Sequence, residues 1–180
     1  MLARATLSMG LLALLLSSGG MSGQPSQPTE YQIKAAFLFN FAKFVDWPPE
    51  SFSQPNSPLV FGVLGENPFH EELARTIQNK KIDSHPLVVK EFHSAAQATN
   101  CHILFISTSE KKRLPDILKI LNGHSILTVG ETDRFTEAGG MINFVLEGTK
   151  IRLQINSEAA TEAGLKISAK LLSLAIRTGQ

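Results

Sequence analysis

The chain has 180 residues, 43% of them hydrophobic and 18% charged, enough for one sizeable core and too few for two full α/β domains. Lys and Arg number 17 against 16 Asp and Glu, so there is no basic excess for nucleic acid, and 11 Phe exclude a disordered chain. A single cysteine excludes an intramolecular disulfide and a multi-thiolate zinc site.

Residues 1–23 read as an export signal. Arg4 supplies the positive start, residues 7–16 are a continuous apolar run, and the small residues that follow place cleavage between Ser18 and Gly23. Ten helical residues rise only about 15 Å, half of a hydrocarbon core of about 30 Å, so the run is too short for a permanent span. Residues 24–29 are a polar, proline-containing linker, and residues 30–177 form the single domain expected to fold. Loss of the signal removes Arg4 and no acid, leaving bases and acids equal in number.

The spacing over 30–47 predicts a helix stopped by Pro48 and Pro49. Ile33, Phe37, Phe41 and Phe44 share one face, while Leu38, Phe39 and Val45 occupy others. A helix apolar nearly all round is buried on more than one side. Either the domain's own elements wrap it, or it lies at an interface with Phe37, Phe39, Phe41, Phe44 and Trp47 as contact candidates. Strands are predicted at 59–64, 87–92, 101–107 and 125–129. Asn67 and Pro68 suit the cap and first turn of a helix, and a second helix runs over 110–121 with Pro115 near its start. Strict alternation over 141–146 and 150–154 predicts an antiparallel hairpin turning at Gly148. A final helix is expected from Asn156 or Ser157 to about Ile176, burying Ala160, Gly164, Ile167, Leu171 and Leu174. The order of elements defines an α/β fold: three layers, with a mixed, mostly parallel sheet flanked by helices, then the hairpin and the final helix.

No catalytic, metal or cofactor constellation emerges. His70-Glu71-Glu72 lacks the second histidine of a helical zinc pair. His102 lies in an apolar strand, where a satisfied core histidine is the simpler reading, and Cys101 is a structural thiol. Gly62 and Gly65 lack the third glycine of a dinucleotide loop, and Ser107 and Ser109 lie outside a nucleophile elbow. What remains is a rim. If the strands from 59, 101 and 125 run parallel, their C-terminal ends gather Glu66, Asn67, Ser107, Thr108, Glu131 and Thr132, where open α/β sheets take small ligands. Ordinary polar loops would look the same.

Four segments in order carry a resemblance: 31–44 with Trp47-Pro48, then 101–107, then 127–130 with 139–144, and last 163–168 with 170–172. Together they resemble the YfiR/HmsC-like family of exported bacterial proteins. The resemblance implies a non-enzymatic periplasmic α/β regulator, a homodimer without cofactor. It would bind the periplasmic sensor domain of an inner-membrane diguanylate cyclase, hold it inactive, and so lower cyclic di-GMP and disfavour biofilm. A solute-binding sensor module using the strand-end rim is the alternative. Cys101 departs from disulfide-bearing members, so intramolecular redox control does not transfer.

Overall fold

The computed structural model describes residues 28–176. The segment read as an export signal, most of the one read as a linker, and Arg177 lie outside the described residues. Helix α1 (Glu30–Phe44) opens on a capping box. The Gln32 N–H donates to Thr29 Oγ1 at 3.3 Å, and the Thr29 N–H donates to Gln32 Oε1 at 2.9 Å. α1 ends three residues before the expected stop, because β1 (Val45–Asp46) pairs antiparallel with β9 (Lys166–Ile167).

The seven-stranded sheet is built from β2 (Leu59–Leu64), β3 (Lys81–Ile82), β4 (His85–Phe92), β5 (Ile103–Ile106), β6 (Leu127–Gly130), β7 (Ile142–Glu147) and β8 (Lys150–Ile155). Its order is β3-β4-β2-β5-β6-β7-β8. The five central strands are parallel, and the two edges, β3 and β8, are antiparallel. β2 and β5 are buried along their whole length, which explains why each reads as an unbroken apolar run. Side chains alternate between two cores. Phe61, Val63 and Phe105 join α1 and α2 (Glu72–Ile77) on one face, while Val60, Leu64 and Leu104 join α3 (Leu114–Leu121) on the other. Gly62, offered by sequence as half of a loop motif, is instead a packing glycine: a Cβ there would meet Leu104 at 2.7 Å and Phe92 at 2.9 Å.

Two local readings change. Helix α2 begins at Glu72, not beside Asn67, because the Asn67 Oδ1 accepts from the Phe69 N–H at 2.9 Å and holds an Asx turn while Phe69 is buried. The long final helix is broken into α4 (Ser157–Glu162), β9 and α5 (Ala169–Leu172). Gly164 takes a φ of +76°, its N–H donates to Thr161 O at 2.9 Å, and the Leu165 N–H donates to Ala160 O at 2.9 Å. These are the two bonds of a Schellman stop, and glycine holds its left-handed position at little cost.

Candidate functional site

On α1, Ala35, Leu38, Phe41 and Ala42 face the core together with Lys34. Phe41 is 0% exposed and stacks on Phe144 at 5.9 Å, so among the contact candidates it belongs to the core. Phe37, Phe39, Phe44 and Trp47 are half-buried. Phe37 leans on Phe41 and Phe144 at 6.2 and 6.0 Å. The Phe39 ring has the Lys43 ammonium at 4.2 Å and the Lys80 ammonium at 4.4 Å, and Phe44 has that of Lys170 at 4.9 Å. Trp47 donates Nε1–H to His102 O at 3.2 Å. The helix therefore has a sealed side bordered by half-open rings, Phe37 and Phe44 at one edge and Phe39 at the other, with lysines over Phe39 and Phe44.

The parallel strands bring the rim residues to one end of the sheet, where neighbouring residues hold several of them. The Glu66 N–H donates to Ser109 Oγ at 3.0 Å, which donates to buried Ser107 Oγ at 3.3 Å. Asn67 Nδ2 donates to Glu91 Oε1 at 2.7 Å. Thr108 is exposed and Thr132 is buried. Glu131 is taken by α1: it pairs with buried Lys34, which also pairs with Glu30, and it accepts from the Tyr31 hydroxyl at 3.2 Å. Burial and then the Glu131 carboxylate push the Tyr31 hydroxyl up to about 12. Lys34 is the residue that sequence reasoning missed. The signal available was a lysine in an apolar stretch four residues after Glu30.

The loop behind Glu131 is held by sterics. Phe135 is 0% exposed and lies against Gly130 and Gly140, whose added Cβ atoms would approach its ring to 2.4 and 2.1 Å. Gly140→Ala is expected to cost about 2–3 kcal/mol by overpacking, read as a drop in the thermal midpoint of about 6 °C. Gly140→Ala/Phe135→Leu should recover most of it. An unchanged midpoint for the single variant would refute the clamp.

At the opposite ends of the strands, His102 is a satisfied core histidine. Its Nδ1 accepts from the Val60 N–H at 3.1 Å, so Nε2 carries the proton and donates to Ser51 O at 3.1 Å. Phe52 stacks between His102 and His85 at 4.5 and 3.8 Å. Burial pushes the His102 imidazole down to about 4. The folded chain therefore takes up this proton less readily than the unfolded chain, whose histidine titrates near 6.5. Stability should be intact above pH 6.5 and fall on acidification towards 4, by about 2 kcal/mol after allowing for solvent at the ring edge. Urea unfolding at pH 7 and 4.5 checks this; His102→Gln, which does not titrate, should lose this part of the dependence. Cys101 beside it is a buried thiol pushed up to about 12. A cavity of 780 Å³ opens here, lined by Ser53, Val60, Lys90, Asn100, Cys101 and His102.

The α/β sheet, α1 laid across one face and the hairpin that closes the sheet define a domain class without naming its work. The chain belongs to the YfiR/HmsC-like family, whose pattern matches residues 31–176. A crystal structure of a conserved domain protein from Vibrio cholerae O1 biovar El Tor str. N16961 is similar in fold, with a TM-score of 0.57 at 13% identity. The match covers 83% of this chain and spans 60% of that protein. No helix among the described residues is long and apolar enough to cross a membrane.

Proposed function

We propose that this chain is a periplasmic regulator that binds the periplasmic sensor domain of an inner-membrane diguanylate cyclase and holds it inactive, without catalysis of its own. Family membership across the domain supports the class. The observation that carries the reading is the set of half-buried aromatic rings along α1: Phe37 and Phe44 at one edge of its core side, Phe39 at the other, and Trp47 just past its end, each keeping surface that the domain does not cover. Aromatic side chains of this kind anchor protein interfaces. A homodimer contact is proposed on the same helix. The solute-sensor reading draws less support, because neighbouring side chains hold three of the rim residues: Asn67 bonds to Glu91, Ser107 to Ser109, and Glu131 to Tyr31 and Lys34 of α1.

A strain lacking this chain is expected to show raised cyclic di-GMP and more biofilm. The full-length chain should restore both, and a version without residues 1–23 should not. An unchanged nucleotide level in the deletion strain would overturn the regulator reading.

A further inference from the structure

We propose that the open edge of β4, with the groove that α2 makes beside it, receives an extended segment of the partner protein as an added strand. The inference rests on the partner reading above and names where that partner docks. β3 is two residues long and covers only His85 and Pro86 of the eight-residue β4. The Leu87 N–H, next along, donates to Lys80 O at 3.3 Å. Phe92 O, on the other side of the strand, accepts from the Gly65 N–H. Backbone groups alternate in direction along a strand, so Val89 and Glu91 share the outward direction of Leu87. No strand of the described residues lies beyond them. An extended backbone is the ligand that matches two outward N–H and C=O pairs at this spacing.

The side chains fit the same occupant. A groove of 560 Å³ runs between this edge and α2, lined by Ala74, Ile77, Leu87 and Val89 with exposed Glu71 and Arg75. Alternate side chains of an added strand would enter it beside Leu87 and Val89. Lys90 is exposed and in no ion pair among the described residues, and exposed Glu91 is held by Asn67. A segment with an acid opposite Lys90 and a base opposite Glu91 complements both.

A second copy of this chain fits less well. Antiparallel pairing of two β4 edges about a two-fold axis can join Val89 to Glu91 in both directions, but it then sets Lys90 directly opposite Lys90. Shifting one way sets Glu91 opposite Glu91, and shifting the other way needs the Leu87 N–H that Lys80 already holds. Like charges directly opposite each other destabilise a strand pair. Like charges disfavour the first two registers and the third keeps only its central Val89 pair, so an asymmetric partner matches this edge better than a second copy.

Hydrogen exchange of the mature chain, alone and with the purified periplasmic domain of the cyclase, tests the site. On binding, the Val89 and Glu91 amides should slow at least tenfold. Val89→Pro, tolerable where the N–H points outward, should weaken binding at least tenfold with the thermal transition kept, and Glu91→Lys should weaken it as well. Binding with unchanged exchange at both amides would overturn the docking site and leave the partner reading standing. Protection of these amides in the concentrated chain alone would overturn the asymmetric partner. No binding by the unaltered chain would overturn the partner reading, and the site with it.

Discussion

Lys34→Met is expected to destabilise the domain by about 3–5 kcal/mol, the cost of leaving a buried carboxylate without its cation. The side chains of Lys34 and Glu131 are 6% and 8% exposed, and Lys34 is the cation that reaches Glu131 from α1. Glu30, one turn earlier on the same helix, is 40% exposed and can turn to water when the lysine is gone; Glu131 cannot. The Tyr31 hydroxyl alone then faces the charge. Lys34→Met/Glu131→Leu should regain most of the loss, since a buried ion pair exchanged whole for apolar groups is often neutral. Urea unfolding of parent, singles and double closes the cycle. A single variant within about 1 kcal/mol of the parent would refute the pair as the tie between α1 and the sheet.

That tie marks the boundary of what the residue pattern makes legible. Leu59–Leu64 is readable as a buried strand because every position is apolar, and the structure gives it the same ends. The parallel order that gathers the rim follows from alternating strands and helices. Lys34 and Glu131 are 97 residues apart, and nothing local to either announces the other. Phe37 and Phe41 lie on a shared helical stripe, yet the core side of α1 is centred on Leu38, so one ring is sealed and the other half-open. Gly164 fits an apolar stripe and a helix stop equally well by spacing; two local bonds make it a stop, and β9 just beyond it pairs with β1 from the far end of the sequence. The open edge of β4 depends on β3 being short, which is a property of pairing rather than of composition.

Phe39→Glu is expected to leave a folded domain that no longer represses its partner or associates with a second copy. The ring is half-buried, so the substitution forfeits part of a phenylalanine's burial together with two cation–π contacts, about 1–2 kcal/mol in all. The new carboxylate would lie beside Lys43 and Lys80, already placed within 4.4 Å of the ring centre, and so would not be an unpaired charge in a core. A core phenylalanine such as Phe41 at 0% exposure should behave differently, because Phe41→Glu strands a charge against Phe37 and Phe144 and should unfold the domain. Interface anchors lose binding steeply on truncation, by 2 kcal/mol or more where the contact is desolvated, and an added charge deepens that loss. Thermal melting separates stability from association, and sedimentation with a repression assay reads association directly. A Phe39→Glu chain that melts near its parent and represses like it would remove this edge of α1 from the interface; one that fails to fold would place Phe39 in the core.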